Sequence, residues 1–356
     1  MELKRVDFFS PWIVALVIIL FLIMGYIGSF NYRFEDPLNS SVIAIVLYSV
    51  AIFLIASLIV KYKIKVEEIP MKQVLTEKII LTVVIVAILL QCLNLVLLGG
   101  IPLFNSVLKS NATTMLWRVS YLLFLPFMNL LLARNYKKRY LILVLIGALI
   151  YGLNGYRTSV LGVLGSSFIT LYYIKKINRK IGIIFLALIF IGAIAIGYIA
   201  SQSIANQHWM LNPLELVFYR FGFTLEVFEK IIPLAGTTHG HILSMIFSSG
   251  SPRTFIGNYV LHYNVCLTST LFGPVMLDFG LIGLTIQMLF LGAFLKIMNK
   301  LAKSLKGIGI ALYSIILVHT LIWIETGPTD IMIWIFFLLG ILLTIVAIKD
   351  KALSFK

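Results

Sequence analysis

The segment Arg157-Thr158-Ser159 places a cation and two hydroxyl groups at the start of a long apolar run. If the run is a helix, its first turn has free backbone N–H groups, which together with the hydroxyls favour a bound anion. The guanidinium of Arg157 adds two parallel donors that suit a phosphate group. The segment therefore predicts a phosphate-binding site. An interfacial arginine that reaches lipid headgroups is the alternative interpretation.

A second candidate is Arg220, whose neighbours at helical spacing are apolar, namely Leu216, Phe223 and Val227. A charge flanked by apolar groups needs a partner or a ligand. The partner could be an acid, either Glu226 on the same helix or Glu325 or Asp330 farther along the chain. Otherwise Arg220 is available to bind phosphate.

Two more charged residues fall inside predicted membrane spans. Arg118 lies near one end of its span, and Asp278 lies in the sequence Leu277-Asp278-Phe279-Gly280. Because intramembrane charges are costly, they mark functional sites by default. Arg118 could instead extend its side chain to the membrane surface.

His262 precedes an apolar run and is a candidate general base, because histidine titrates near neutral pH. Asn264 is a further polar candidate two residues later, and a surface histidine is the alternative for His262. His239 and His241 are two residues apart and share no helix face, which argues against a zinc site. The acids are scattered, so the sequence predicts no metal and no cofactor.

The elements that position these residues follow from composition. Of the 356 residues 60% are hydrophobic and 12% charged, whereas a soluble domain is about half apolar and a quarter charged. Unbroken apolar runs favour membrane-spanning helices, in which every backbone amide is paired internally. Ten spans are predicted, at residues 8–30, 41–60, 79–98, 115–132, 140–153, 156–174, 181–200, 271–295, 308–324 and 331–348.

The basic residues set the orientation. Lysine and arginine collect in cytoplasmic loops, and 22 of the 29 basic residues fall at the even-numbered boundaries when the N-terminus is inside. The clusters at 134–139 and 175–180 both favour the cytoplasm, so the chain must cross twice between them, with a turn at Asn154-Gly155. Both termini are therefore predicted to be cytoplasmic. The formal net charge of +15 is a topology signal and not a nucleic-acid footprint.

One outer segment, residues 201–270, is long and of mixed polarity. Asn212-Pro213 is typical of a helix start, and apolar residues then recur at helical spacing. This pattern predicts an amphipathic helix that lies on the membrane or on the bundle. The predicted organisation is a seven-span bundle (1–200), a large extracytoplasmic loop (201–270) and a three-span bundle (271–356).

These motifs and their order resemble those of oligosaccharide repeat-unit polymerases, the O-antigen polymerase (Wzy) family, and of the related O-antigen ligases. The resemblance is carried by the segments 99–104, 156–161, 219–222, 262–264, 268–274 and 278–283. It implies an all-α, polytopic, GT-C-like bundle with amphipathic helices in one large outer loop. It also implies localisation in the cytoplasmic membrane.

The resemblance further implies a membrane glycosyltransferase of polysaccharide and cell-envelope biosynthesis. A glycan on polyprenyl diphosphate, with undecaprenyl or dolichyl as the carrier, would pass to the hydroxyl of another lipid-linked repeat unit. The transfer would occur on the outer face, without a metal and with inversion.

The functional trio of the ligases is an arginine that opens a span in an Arg-x-x-x-Leu pattern, an arginine in the large loop and a histidine near the end of that loop. The resemblance maps these onto Arg157, Arg220 and His262, with Leu161 completing the pattern. Arg118, Thr158 and Ser159 are further candidates to bind the diphosphate. His262 departs from the family pattern, because Tyr263 separates it from Asn264. The bilayer, a flippase and a chain-length regulator are the implied partners, and nucleic acid is not among them.

Two alternatives stay open. A ligase would transfer the glycan to a different acceptor, and the sequence separates it poorly from a polymerase. A non-enzymatic polysaccharide or lipid flippase would predict internal repeats and polar groups at the membrane midplane. The sequence shows one large asymmetric outer loop instead.

Overall fold

The computed structural model describes residues 7–353 apart from 32, 33, 35, 61–74, 178, 203–210 and 249. The described residues form α-helices and two short 3-10 helices, Pro102–Phe104 and Ile232–Leu234, without a β-strand among them. The α-helices are α1 (Trp12–Gly28), α2 (Ser40–Ile59), α3 (Glu77–Leu97), α4 (Ser106–Asn111), α5 (Met115–Asn135), α6 (Tyr140–Gly152), α7 (Arg157–Tyr173), α8 (Arg179–Gln202), α9 (Pro213–Ile231), α10 (His241–Ile246), α11 (Pro252–Leu261), α12 (Gly273–Leu305), α13 (Gly307–Thr326) and α14 (Ile331–Leu353). Several basic residues predicted to be cytoplasmic lie outside the described residues: Lys4, Arg5, Lys61, Lys63, Lys65, Lys72 and Lys356.

Each apolar run predicted as a span coincides with one helix, α1–α3, α5–α8 or α12–α14. By length and hydropathy, six described helices can cross a membrane: α2, α3, α5, α8 from Gly182, α12 and α13. The helices α1 and α6 and the 331–347 part of α14 are apolar but shorter. The prediction of a polytopic all-α membrane protein is confirmed. The count of ten crossings and the cytoplasmic termini stay predictions.

The turn at Asn154-Gly155 separates α6 from α7, as the sequence predicts. The backbone N–H of Leu103 donates to the carbonyl of Leu153 at 2.9 Å, which fixes the turn against the segment before α4. With 13 residues α6 is about 20 Å long, short of the roughly 30 Å hydrocarbon core.

The start of α9 is a reciprocal cap. The side-chain oxygen of Asn212 accepts from the N–H groups of Leu214 and Glu215, and a Glu215 carboxylate oxygen accepts from the N–H of Asn212 at 3.0 Å. These bonds satisfy N–H groups that a helix otherwise leaves free. The predicted start of this helix is thus confirmed.

A second local anchor lies beside α3 and α6. Lys137, between α5 and α6, and the Tyr140 hydroxyl both donate to the Glu77 carboxylate. The hydrogen bond with Glu77 raises the pKa of Lys137. This cluster joins the start of α3 to the α5–α6 connection.

The chain forms two compact units, each built from separate chain segments. Unit 1 contains residues 1–63, 217–299 and 319–335, and unit 2 contains residues 64–216, 300–318 and 336–356. In unit 2, α3 packs against α5, and α7 packs against α6 and α8. The three-part organisation predicted from the sequence stays a prediction.

In unit 1, α9 packs closely against α1. A Cβ added at Gly28 would lie 2.0 Å from the carbonyl oxygen of Phe218, so this approach requires glycine. The rings of Phe21 and Phe221 meet edge-on with 5.0 Å between their centroids. Leu225 is fully buried. The amphipathic helix predicted to lie on the membrane or the bundle therefore packs one face against α1 of unit 1, and residues 212–215 at its start are exposed.

The long helix α12 is interrupted at Gly280, whose φ of 62° and ψ of −155° are not helical. This conformation is open to glycine and strained for other residues. The break lies two residues after Asp278, in the segment that α10 approaches.

Candidate functional site

Arg220 forms an ion pair between α9 and the end of α13. Its Nε donates to Oε1 of Glu325 at 3.2 Å. The Arg220 side chain is 48% exposed, whereas the Glu325 side chain is 16% exposed. Glu325 is one of the three acids that the sequence offered as a partner, whereas Glu226 pairs with Lys230. The guanidinium is thus held on one edge and reaches solvent elsewhere.

A second arginine approaches the same short connection. The Nε of Arg253, near the start of α11, donates to Oγ1 of Thr329 at 3.0 Å. The backbone carbonyl of Arg253 accepts from the N–H of Leu267, which fixes α11 to the following segment. Arg220 and Arg253, both partly exposed, therefore form hydrogen bonds with two residues that are only four positions apart.

The α13–α14 connection that holds both arginines is well braced. The N–H of Gly327 donates to the carbonyl of Trp323 at 2.9 Å, and the indole of Trp334 donates to the carbonyl of Pro328 at 3.0 Å. A carboxylate oxygen of Asp330 accepts from the N–H of Met332 and caps α14. Because these hydrogen bonds hold the connection in place, they also fix the positions of the two arginines. An anion-binding site needs its cations in fixed positions.

His262 ends α11 with a left-handed backbone, φ 57° and ψ 25°. Its N–H donates to the carbonyl of Asn258 at 3.1 Å, and its side chain is exposed. Asn264 is also exposed and accepts weakly from the Asn258 amide at 3.4 Å. No hydrogen bond or ion pair in the described part of the chain joins His262 to Arg220 or to Asp278.

Asp278 has a structural explanation that the sequence did not supply. The residue is 3% exposed, and its carboxylate accepts from the Thr238 hydroxyl at 2.5 Å and from the N–H groups of Ile242 and Leu243 at 3.0 and 2.8 Å. It therefore caps the first turn of α10 from another helix, where a negative charge is favourable.

In unit 2, Arg157 begins α7, with Thr158 beside it and Ser159 buried. A Cβ added at Gly197 of α8 would lie 3.8 Å from an Nη of Arg157. The absence of a side chain at residue 197 thus leaves room for the Arg157 side chain beside α8. The arrangement predicted from the sequence, a guanidinium at a helix N-terminus, is present.

Lys109 is a further cation next to this helix start, and no motif in the sequence marks it as a site residue. Its Nζ lies 5.6 Å from the centroid of the Tyr156 ring, and the Tyr156 hydroxyl donates to the Lys109 carbonyl at 2.7 Å. The signal in the sequence was weak, because Lys109 lies 48 positions before Arg157 and only packing brings the two segments together.

Buried polar groups lie near the same turn. Both polar atoms of the Asn154 side chain are buried without a hydrogen-bond partner among the described residues. An unpaired buried amide costs about 1–3 kcal/mol, so a further polar group is expected there.

Arg118, in the first turns of α5, is exposed and forms no ion pair with the residues that the structure describes.

The predicted site residues therefore fall into two groups. Unit 1 holds Arg220, His262, Asn264 and Asp278, to which the structure adds Arg253 and Glu325. Unit 2 holds Arg118, Arg157, Thr158 and Ser159, to which it adds Lys109. The described residues contain no group of three or more His, Cys, Asp or Glu placed to hold a metal ion.

Comparison with known proteins gives a family. The family model described as "Putative O-antigen polymerase" matches residues 7–337 of this chain. The chain belongs to this family. The resemblance to the O-antigen polymerases that the short motifs indicated is thereby confirmed, and the matched region includes all eight site residues predicted from the sequence.

Two archaeal relatives of this O-antigen polymerase family member are uncharacterized. Protein MJ0419 of Methanocaldococcus jannaschii is 30% identical over 282 residues, 76% of this chain and 77% of that protein. Protein MJ0420 of the same organism is 29% identical over 286 residues, 78% of this chain and 68% of that protein. No solved structure matches the chain.

Proposed function

We propose that this protein is a membrane glycosyltransferase that polymerises lipid-linked oligosaccharide repeat units. The donor is a glycan on a polyprenyl diphosphate, and the acceptor is a hydroxyl of another lipid-linked unit. The reaction takes place on the outer face of the cytoplasmic membrane, with both termini of the protein in the cytoplasm.

One observation supports this proposal most strongly. In a member of the O-antigen polymerase family, Arg220 and Arg253 are fixed by their Nε atoms to Glu325 and Thr329 of one braced connection. Binding through Nε leaves the outer edge of a guanidinium for a ligand. A diphosphate leaving group carries two anionic centres, which two fixed cations neutralise.

The proposed chemistry is a single displacement. The acceptor hydroxyl oxygen forms a bond to the anomeric carbon of the donor glycan while the bond from that carbon to the diphosphate oxygen breaks. The polyprenyl diphosphate leaves with the electron pair, and His262 takes the proton of the attacking hydroxyl. Because attack and departure occur on opposite faces, the anomeric centre is inverted.

The arginines stabilise the charge that develops on the leaving diphosphate. Fixed guanidiniums do this without reorganisation, which makes such electrostatic stabilisation large in a partly dry site. Arg157, with Thr158, Ser159 and Lys109, provides a second anion-binding group in unit 2, and Arg118 is a further candidate for it. In this proposal the second group binds the diphosphate of the acceptor lipid.

The test is a reconstituted reaction. Purified full-length protein in lipid nanodiscs is given one lipid-linked repeat unit, and the products are separated by size. A ladder of longer lipid-linked chains supports a polymerase. Transfer only to an added acceptor of another type indicates a ligase, and the absence of any transfer to either acceptor would contradict the proposal.

A further inference from the structure

Unit 1 contains a cavity of about 870 Å³ between the α10 segment, the first half of α12 and the α13–α14 connection. This volume lies within the range of about 300–1,000 Å³ that is usual for ligand sites. We infer that the cavity binds the isoprenoid chain of the lipid-linked glycan. This inference rests on the proposed function and names the place where that substrate's lipid is held.

The wall of the cavity on α12 has two parts, which the break at Gly280 separates. Phe279 lies before the break, and Ile282, Ile286 and Phe290 follow it at helical spacing on one face. The Gln287 amide donates to the carbonyl of Leu271 at 2.9 Å, so the part after the break lies beside the segment before it. We call this two-part cavity the slot.

The surroundings of the slot favour a lipid ligand. α12 is long and apolar enough to cross the membrane, yet Ile282 is 76% exposed and Ile286 is 62% exposed. Apolar side chains exposed on a spanning helix face lipid, because the hydrocarbon core contains no water. The side of the slot that these residues form is thus open to hydrocarbon.

The polar side chains that line the slot include His239, Asp278 and Gln287. The Asp278 carboxylate already accepts three hydrogen bonds from Thr238 and the start of α10, so its charge is matched by the protein. The Gln287 amide donates to the carbonyl of Leu271 at 2.9 Å. Asp278 and Gln287 are thus paired with protein groups, and the rest of the lining suits a hydrocarbon chain.

The slot also leads to the proposed diphosphate site. Pro328 lines the slot, and the next residue, Thr329, accepts the hydrogen bond from Nε of Arg253. A chain in the slot that passes Pro328 therefore places its head group at the connection that holds Arg253. The Gly280 break in α12 lies between Phe279 and Ile282, where the chain would pass.

The lining chemistry matches an isoprenoid. Aromatic and branched side chains dominate it, including Trp334, Phe290 and Ile246. An isoprenoid has a methyl branch and a double bond in every repeat, which pack against aromatic faces and branched groups. A saturated acyl chain lacks both features.

The test uses full-length protein in nanodiscs with a polyprenyl diphosphate that carries a diazirine on its chain. After irradiation, the labelled residues are identified by mass spectrometry. The label is expected on Phe279, Ile282, Ile286 or Phe290 of α12 and on Leu243 or Ile246, with protection by unlabelled polyprenyl diphosphate. Equal protection by excess phospholipid would overturn the inference, because the slot would then bind bulk lipid.

Matched variants sharpen this test. Ile282→Trp and Ile286→Trp narrow the slot, and labelling is expected to fall roughly tenfold, the lower end of what one mismatched group does in an apolar pocket. Leu281→Trp and Leu289→Trp are the controls, because both residues are exposed on α12 but do not line the slot. Equal labelling of slot and control variants would overturn the inference.

The two proposals fail in different ways. If the protein forms no glycan ladder but the slot variants lose labelling, the proposed function fails and the isoprenoid site stands. If the ladder forms and Ile286→Trp changes neither labelling nor the KM for a long-chain carrier, the slot assignment fails and the function stands. A selective KM increase for the long-chain carrier over a short-chain carrier would support both.

Discussion

Nε of Arg220 lies 3.2 Å from Oε1 of Glu325, which joins α9 of the large loop to the end of α13. The carboxylate is mostly enclosed by protein, whereas about half of the arginine side chain is exposed. The Glu325 carboxylate therefore fixes the position of the Arg220 guanidinium. A surface ion pair of this kind contributes only about 0–1 kcal/mol to stability, so its value lies in orienting the guanidinium.

Removal of the guanidinium at position 220 should lower polymerisation. We expect Arg220→Ala to reduce kcat about 100-fold, comparable to the loss of one donor from a charge-stabilising site. Arg220→Lys should retain only part of the wild-type kcat, because lysine lacks the planar guanidinium with its parallel N–H donors. Lys230→Ala on the same helix is the control and should retain activity. Wild-type rates in Arg220→Ala would remove this residue from the mechanism.

Glu325 is a positioning residue for Arg220. Glu325→Gln keeps an oxygen that can accept from Nε, so it should be milder than Glu325→Ala. In Glu325→Ala the KM for the lipid-linked donor should rise by about tenfold, equal to roughly 1.4 kcal/mol of binding. If Glu325→Gln keeps a KM close to that of the wild type, the higher KM of Glu325→Ala reflects lost positioning of Arg220 and not misfolding. Equal kinetics of the two variants would argue against this role.

The unit 2 group should bind the diphosphate through two cations. Lys109→Met and Arg157→Ala should each raise the KM for the lipid-linked substrate, and the double variant should exceed either single variant. Lys138→Ala is the control, because Lys138 is exposed and lies in a segment predicted to be cytoplasmic. Steady-state rates over a range of substrate concentration check this. An unchanged KM in both single variants would contradict it.

Asp278 should matter for stability. Asp278→Ala leaves the first turn of α10 uncapped and should lower the free energy of unfolding by about 1–3 kcal/mol. Asp278→Asn should cost less, because asparagine also caps helices. Thermal unfolding in detergent measures the difference. A normal melting temperature with lost activity would instead give Asp278 a direct role in the reaction.

The contact between α1 and α9 should not tolerate a methyl group. Gly28→Ala drives a Cβ against the Phe218 carbonyl and should destabilise the protein by about 1–3 kcal/mol, as overpacking does. Gly192→Ala on α8 is the matched control, because its nearest contact, Val160, is 3.6 Å away. Equal melting temperatures for the two variants would show that α1 and α9 are less tightly packed than described.

The sequence by itself determined the helical membrane class and the start of most helices. Long apolar runs leave the backbone no hydrogen-bonding choice except helix, and local signals such as Asn212-Pro213 set the boundaries. Hydrophobic spacing likewise predicted that α9 has one apolar side. These features depend on neighbours in the chain, so the sequence is sufficient to predict them.

The sequence also identifies the candidate cations, because a charged residue in an apolar segment can be recognised without knowing its tertiary contacts. It could offer Glu226, Glu325 and Asp330 as partners of Arg220, but it could not choose among them. The choice depends on which helix end lies beside α9, a contact across 105 positions. The pairing of Arg253 with Thr329, across 76 positions, was not anticipated.

Only the tertiary structure decided what Asp278 does and which segments line the slot. Asp278 is an intramembrane acid by sequence, but folding brings the N–H groups of α10 to it from more than 30 positions away. The slot depends on three segments and on the break at Gly280. Long-range packing of this kind leaves no local signature, because each side chain's partner is set by the whole fold and not by its neighbours.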